Sequence, residues 1–277
     1  SQRIRTRHQE FQIEATQPMI ATVNRAELGS YMAEQAIGYG AELRTGSRVV
    51  TIDADRVLFT DGNKNQEVRY DFLVGADGSN SKVRKFLGLD SPPQVNGIGL
   101  QYLVTEGGPE MRWNFDYDLF NSGYGWIFPH RSCASVGCYL ANNSITPPQL
   151  KNNLDSWLGD QGIRTVGCRF EADKINVDYR GWRFGNRFLV GDAAGLASPL
   201  TGEGINPAWV SAEAAASTIT DPDYFPEDLH RVIKRHRTHR TMSRTAGRSW
   251  LLSQLLSEFS ALLLRAKIIG FEKFEMA

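Results

Sequence analysis

The same four residues, Phe-Leu-Val-Gly, occur at 72–75 and again at 188–191, and each copy is followed by an aspartate and a helix-forming segment. The aspartate is Asp77 after the first copy and Asp192 after the second. An apolar run that stops at Gly and Asp predicts a strand, a tight turn and a helix amino terminus. At such a turn glycine lets the backbone approach a ligand, the carboxylate accepts hydrogen bonds from sugar hydroxyls, and the helix end favours an anion. The sequence therefore predicts two strand ends with the chemistry of a nucleotide cofactor site.

We call residues 72–84 (FLVGADGSNSKVR) the first junction and residues 187–206 (RFLVGDAAGLASPLTGEGIN) the second junction. Each aspartate alone has an ordinary explanation, because Asp-Gly marks turns and Asp caps helices. Ser79 or Ser81 is the expected cap of the helix in the first junction. Two such junctions in one chain are a much more specific signal than either one.

The remaining sequence predicts strands and helices around these junctions. Apolar spacing and stop signals predict an early amphipathic helix, short strands, a buried strand before Asp77, an antiparallel sheet, a short helix and terminal helices. The corresponding residues are 24–40 for the helix, 41–52 and 57–60 for the short strands, 70–74 for the buried strand, 97–140 for the sheet, 150–158 for the short helix and 243–274 for the terminal helices. A further Ala-rich helix is expected to begin at Pro207.

Composition excludes several classes of protein. Lys plus Arg equals Asp plus Glu, at 31 each, so no net field favours nucleic acid. The three cysteines are odd in number and lack the spacing of metal ligands, so we expect no disulfide framework, no metal site and a cytoplasmic location. No apolar run approaches the length of about 20 residues that crosses a bilayer.

Together the two junctions resemble the downstream motifs of the flavoprotein hydroxylase superfamily. Within it, GDAAGLASPLTGEGI and the run YGWIFP at 124–129 resemble the geranylgeranyl reductase family. The resemblance covers most of the chain and implies FAD as the cofactor. It also implies an α/β fold with α+β elements, in which an incomplete Rossmann-like FAD-binding domain is interleaved with an antiparallel-sheet substrate domain and followed by C-terminal helices.

The resemblance also assigns cofactor contacts. Asp192 would bind the ribitol, and the backbone of 202–205 would lie against the pyrimidine edge of the flavin. Asp77 would lie near the ribose and pyrophosphate. Arg25 would approach the phosphates, although a solvated helix-end arginine is the alternative. The implied cofactor-binding residues are Arg25, Asp77, Gly78, Arg84, Gly191, Asp192, Pro199, Gly202, Gly204 and Ile205.

The aromatic run is expected to form the substrate pocket. Tyr124, Trp126 and Phe128 alternate as one face of a strand would, and Pro129 ends the run. The resemblance implies that these four residues wall a pocket for an apolar small molecule, and a packed core face is the alternative. No residue is assigned as a proton donor.

One family feature has no counterpart in this sequence. Relatives begin with a strand and a Gly-x-Gly-x-x-Gly turn that hold the pyrophosphate, and no such motif occurs here. We therefore expect either a fragment that binds FAD weakly or not at all, or a second segment or subunit that completes the site. The expected domains are 1–90 and 180–240 for FAD binding, 91–179 for the antiparallel substrate domain and 241–277 for the C-terminal helical region.

The expected function is reduction of carbon–carbon double bonds of an isoprenoid by hydride from flavin N5, with NAD(P)H as a candidate electron donor. A flavin monooxygenase or halogenase, and a non-catalytic or partner-dependent module, stay open as alternatives. The basic run 231–244 is typical of a solvated helix face, and peripheral contact with anionic lipid is its other interpretation.

Overall fold

The computed structural model describes residues 1–14, 20–62, 64–92, 94–105, 108–141, 144–270, 274 and 276. The strands are β1 (Gln2–Arg5), β2 (Glu10–Ile13), β3 (Ser47–Ile52), β4 (Arg56–Asp61), β5 (Lys64–Arg69), β6 (Leu73–Gly75), β7 (Asn96–Val104), β8 (Met111–Asn114), β9 (Tyr124–Pro129), β10 (Ala134–Leu140), β11 (Arg169–Asn176), β12 (Arg183–Phe184) and β13 (Arg187–Leu189). The helices are α1 (Arg25–Gly38), α2 (Lys82–Phe86), α3 (Tyr117–Phe120), α4 (Pro147–Asp160), α5 (Gly191–Ala194), α6 (Ile205–Thr220), α7 (Glu227–Ala246) and α8 (Trp250–Arg265).

The chain divides into two compact units, Ile20–Leu73 and the remainder, Ser1–Met19 with Val74–Ala277. The smaller unit contains α1 and the antiparallel sheet β3-β4-β5. Asn24 caps α1, because its side-chain oxygen accepts hydrogen bonds from two first-turn N–H groups. The helix predicted for 24–40 is thus confirmed. Of the strand predicted for 41–52 only β3 forms, since a turn at Gly46 with φ of +71° precedes it.

The larger unit is built on a seven-stranded sheet in the order β11-β7-β10-β9-β8-β1-β2. Neighbours pair antiparallel except β1 and β8, which are parallel. The antiparallel sheet predicted for 97–140 is confirmed by β7 to β10. Strands β1 and β2 extend this same sheet, so the start of the chain adjoins the predicted substrate domain rather than standing apart from it.

One face of this sheet is closed by helix α4. Successive residues of a strand point to opposite faces, so Ile127 faces the helix while its neighbours Trp126 and Phe128 face away. Ile127 packs with Leu150 and Leu154 of α4 in a fully buried apolar core. The other face carries the aromatic residues that the sequence assigned to a pocket.

A third sheet, in the order β12-β13-β6, brings the two junctions together. The N–H of Val190 donates to the carbonyl of Gly75 over 3.0 Å. The prediction of a buried strand at 70–74 is wrong: β6 is shorter, and both Phe72 and Val74 are exposed. Strand β13 lies between its two neighbours, and Leu189 is fully buried.

Helices α6, α7 and α8 complete the larger unit. Helix α6 begins at Ile205, ahead of the predicted start at Pro207. The predicted terminal helices are confirmed by the end of α7 and by α8, although residues 271–273 and 275 of that prediction lie outside the described residues. No helix in the described part of the chain is long and apolar enough to span a membrane. The mixture of sheets and helices confirms the predicted fold class.

Candidate functional site

The second junction leads from β13 through the short helix α5 and the loop 198–204 into α6. Gly191 has a φ of +52°, and a Cβ placed on it would lie 2.8 Å from the Cβ of Ala208 in α6. Its N–H donates to Oγ of Ser211 over 2.9 Å. Only glycine combines this backbone conformation with such close packing of a helix. Gly191 therefore brings the amino-terminal turn of α6 against the end of β13.

A serine of the first junction holds the aspartate of the second. Ser79 Oγ donates to Oδ2 of Asp192 over 3.0 Å and accepts from the N–H of Asn176 at 3.0 Å. The Asn176 side chain in turn donates to the carbonyl of Asp192 over 2.7 Å. Asp192 is half-buried, so its carboxylate is fixed in orientation but still reachable by a ligand. The two junctions thus meet at Asp192, through a contact from Ser79 of the first junction.

Asp77 has a different local role. Its Oδ2 accepts hydrogen bonds from the N–H groups of Lys82 (2.6 Å) and Val83 (3.4 Å), at the start of α2. Ser81 is the N-cap of that helix and accepts from the N–H of Arg84 over 2.9 Å. Of the two predicted caps, Ser81 is therefore confirmed, and Ser79 is used to orient Asp192 instead. Asp77 and Gly78 lie at the surface, and their predicted contact with the cofactor stays a prediction.

The loop 198–204 lies directly beside Asp192. A Cβ placed on Gly204 would lie 2.9 Å from Oδ1 of Asp192, so glycine allows the backbone to approach that carboxylate closely. Gly202 has a φ of +72°, and a Cβ there would lie 2.8 Å from the ring of Tyr139. At both positions a larger residue would overlap a neighbouring side chain, so glycine is required by the close packing. The buried Pro199 lies in the same loop, and the exposed Ile205 follows it.

Two tyrosines of the large sheet hold this loop by its carbonyl groups. Tyr124 donates to the carbonyl of Thr201 over 2.6 Å, and Tyr139 donates to that of Ser198 over 3.2 Å. Burial raises the pKa of both phenols, so they remain protonated donors. The loop is also held by helix α7, because Ser198 Oγ lies within hydrogen-bonding distance, 2.9 Å, of Nδ1 of His239.

The start of α6 carries an acceptor and a donor side by side. The carboxylate of Glu203 accepts from the N–H of Met276 over 2.7 Å, and the side chain of Asn206 donates to the Met276 carbonyl over 2.9 Å. Burial raises the pKa of the Glu203 carboxyl. No side chain caps α6, whose N-cap is Gly204. The backbone N–H and carbonyl of Met276 thus occupy both groups, which joins the end of the chain to the start of α6.

Arg84 supports the second junction from inside the protein. Its guanidinium is buried and donates to the carbonyls of Asp178 (2.7 Å) and Ala194 (3.3 Å), the latter within the second junction. Burial lowers its pKa, and the nearby Asp178 carboxylate opposes that shift. The side chain thus fastens the two junctions together, and a direct cofactor contact for Arg84 stays a prediction.

The predicted pocket residues lie together on the open face of the large sheet. Trp126 stacks on Phe128 at a centroid distance of 5.8 Å, and Phe128 meets the edge of Trp113 at 4.6 Å. Trp126 Nε1 donates to Oγ of Ser135 over 2.8 Å. Tyr124, whose hydroxyl reaches the loop 198–204, joins this aromatic face to the Asp192 region. Pro129 ends the strand, and Trp126 and Phe128 are only partly buried.

Arg25 is the first residue of α1 in the smaller unit, where it is exposed. Its predicted approach to the cofactor phosphates stays a prediction.

Sequence reasoning missed the polar groups that orient the site. Ser79 lies in the first junction, where the sequence suggested it as a helix cap and not as the partner of Asp192. Asn176, Tyr139 and His239 come from β11, β10 and α7, and no local pattern in the sequence marks them.

Comparison with known proteins agrees with this geometry. Residues 2–103 match the family model described as FAD binding domain. The geranylgeranyl diphosphate reductase of Rhodobacter capsulatus is 27% identical over 215 residues, covering 71% of this chain and 53% of that protein. The digeranylgeranylglycerophospholipid reductase of Methanosarcina acetivorans is 28% identical over 223 residues, covering 74% of this chain and 55% of that protein.

Among solved structures, a geranylgeranyl bacteriochlorophyll reductase-like protein from Thermoplasma acidophilum has the same fold, with a TM-score of 0.69 and 20% identity over 96% of this chain and 81% of that one. The domain match identifies a FAD-binding domain in residues 2–103, and the solved structure shows the same fold. Among FAD-binding proteins the chain is similar to the geranylgeranyl reductase family, which confirms the resemblance indicated by the junctions. The chain spans about half the length of the curated relatives it matches.

Proposed function

We propose that this chain contributes the ribitol- and ring-binding side of a FAD-dependent oxidoreductase that reduces carbon–carbon double bonds of an isoprenoid or similar apolar substrate. The observation that carries the proposal is the position of Asp192, which Ser79 holds beside Gly204 at the start of α6. The names of the reductase relatives support the choice of substrate class.

The residues around Asp192 fit a flavin nucleotide. A fixed, accessible carboxylate suits a chain of hydroxyl groups, because each hydroxyl can donate a hydrogen bond to it. Gly204 adds no side-chain atom beside that carboxylate.

Two features of the chain would serve the reaction. The positive end of α6 stabilises negative charge on a ring placed beside it. The aromatic face of Tyr124, Trp126 and Phe128 offers an apolar wall that excludes water from a greasy substrate. When bound, reduced flavin supplies a hydride from N5 to the substrate. NAD(P)H stays a candidate electron donor.

The first test is FAD binding to the purified chain, followed by quenching of flavin fluorescence. Asp192→Ala removes the ribitol acceptor, and charge-assisted hydrogen bonds contribute about 1.5 to 3 kcal/mol, so we expect affinity to fall by about tenfold or more. Asp173→Ala is the matched control, since Asp173 is an exposed aspartate on β11. Equal affinity in both variants would remove the basis of the proposal, and circular dichroism establishes that both are folded.

The second test concerns the reaction. With chemically reduced FAD and geranylgeranyl diphosphate, we expect a product heavier by two hydrogen atoms for each double bond reduced, measured by mass spectrometry. Bound FAD without any such product would refute the reductase assignment while leaving the flavin site intact. A product that gains oxygen, formed with consumption of O2, would assign a monooxygenase instead.

A further inference from the structure

Helix α8 carries its apolar residues on the outside. Leu251, Leu255, Phe259 and Leu262 are 55%, 57%, 59% and 52% exposed. Their spacing of four, four and three residues places them on one face of the helix. We call these four residues the outer stripe. Monomeric proteins rarely leave so many large apolar side chains in one exposed row, and such a row marks an interaction surface.

Other residues of α8, which are small or polar, attach the helix to the body of the protein. Ser253, Gln254 and Ala261 are buried. Glu258 accepts hydrogen bonds from the Gln9 side chain (2.8 Å) and the His8 N–H (2.9 Å). Rotating the helix to hide the outer stripe would break these bonds. The outward position of the stripe is therefore fixed by contacts on its polar side.

The region around the outer stripe is strongly cationic. Residues 227–267 contain nine Lys and Arg against three Asp and Glu, although the whole chain contains 31 of each class. Exposed members of this cationic set include Lys234, Arg237, Arg244, Arg248 and Arg265. The excess positive charge is thus concentrated on α7, α8 and the turn between them.

Trp250 lies at the amino-terminal end of the outer stripe, with the Arg7 guanidinium 5.5 Å from its ring centroid. Trp is half-exposed here, and its ring combines an apolar body with a polar N–H. Trp and Arg together are typical of surfaces that meet the headgroup layer of a bilayer.

We propose that the outer stripe of α8 docks on an anionic phospholipid bilayer, with the helix lying in the plane of the membrane surface. The apolar residues would enter the acyl boundary while the cations of α7 and the turn meet the headgroups. A second copy of the chain is a poorer occupant, because it would bring the same cationic region against itself. The proposal is independent of the flavin site, so either can fail without the other.

Vesicle flotation of the purified full chain tests the proposal. We expect the chain to float with phosphatidylcholine vesicles that contain phosphatidylglycerol and to remain in solution with pure phosphatidylcholine. The double variant Leu255→Ser/Phe259→Ser should lower the partition coefficient by about tenfold or more, because both changes remove apolar area that would enter the acyl boundary. Arg244→Gln/Arg248→Gln should lower it only for the anionic vesicles.

Val166→Ser is the matched control, since Val166 is 97% exposed in the same unit but lies away from α8 in the sequence. It should float like the unaltered chain. Failure of the unaltered chain to float, or equal loss in the Val166 variant, would overturn the proposal. A dimer in light scattering that Leu255→Ser/Phe259→Ser converts to a monomer would also overturn it, in favour of a second copy. FAD affinity should be the same in all variants.

Discussion

The two copies of Phe-Leu-Val-Gly are identical in sequence and opposite in environment. Phe188 is 1% exposed and Phe72 is 48% exposed, and Val190 and Val74 differ in the same direction, at 6% and 42%. The first copy leads to a surface turn whose aspartate caps a short helix. The second leads to a buried turn whose half-buried aspartate accepts a hydrogen bond from Ser79.

Neighbouring strands explain the difference. Strand β13 lies between β12 and β6, and Phe188 packs with Val190, Ala215 and the ring of Trp182. Strand β6 is at the edge of the three-stranded sheet. The same apolar letters therefore predict a strand in both places, but burial depends on what lies on either side of it.

The largest expected contrast comes from truncating the two phenylalanines. Phe188→Ala should lower the free energy of unfolding by about 4 kcal/mol, because it leaves a cavity in a closed cluster. Phe72→Ala should cost about 1 kcal/mol, since half of that ring is already in water. Urea denaturation measures both. Equal losses would show that burial does not distinguish the two copies.

A second contrast uses glycines with the same backbone conformation. Gly195 and Gly78 have φ of +79° and +72°, but a Cβ on Gly195 would lie 2.4 Å from the Asp178 carbonyl oxygen, whereas nothing lies within 4 Å at Gly78. Gly195→Ala should therefore cost about 3 kcal/mol or more, from strain plus overlap. Gly78→Ala should cost about 1 kcal/mol, from strain alone.

Urea denaturation of both glycine variants checks this contrast. A Gly78→Ala protein as unstable as Gly195→Ala would mean that the first junction is packed as tightly as the second. FAD titration adds a second readout, because strain at Gly195 should also shift Asp192, which lies three residues earlier in the chain.

A smaller effect should appear in the pH dependence of the free energy of unfolding, because a buried histidine lies beneath the second junction. His236 of α7 is buried beneath the second junction, and burial lowers its pKa to about 4. In the unfolded chain the imidazole has a pKa of about 6.5. Below that pH the unfolded state binds a proton that the folded state refuses, so stability is fully present above about pH 6.5 and falls until about pH 4. Between pH 7 and pH 5 the loss should be about 2 kcal/mol.

His236→Phe isolates that contribution, because it keeps a ring against Tyr179 and removes the titrating group. Urea denaturation at pH 7 and pH 5 should show a smaller loss of stability in this variant than in the unaltered chain. His230→Phe is the control, since His230 is exposed on the same helix. Parallel losses in His236→Phe and the unaltered chain would contradict the assignment.

Much of the fold followed from local pattern. The early helix, the antiparallel sheet, the terminal helices and the two strand–turn–helix junctions were predicted because each depends on residues close in sequence. Their boundaries were less accurate. A turn at Gly46 makes β3 begin later than the pattern suggested, and α6 begins earlier, at Ile205.

The candidate site was predictable only in part. Asp192, Gly202 and Gly204 were identified because one motif contains all three. Ser79 as the partner of Asp192, and Tyr124 as the donor to Thr201, connect segments 113 and 77 positions apart. No local sequence pattern indicates such pairs, because hydrogen bonds between distant segments depend on how whole helices and strands pack.

By itself the sequence determined where chain direction changes, which residues could adopt left-handed turns and which carboxylate would follow each strand, because those properties reside in individual side chains and their immediate neighbours. Only the tertiary structure decided which of the two Phe-Leu-Val-Gly copies is buried, which serine orients Asp192 and which face of α8 meets solvent. Each of those outcomes depends on the area and polar groups that a neighbouring element covers, a quantity that no single segment contains.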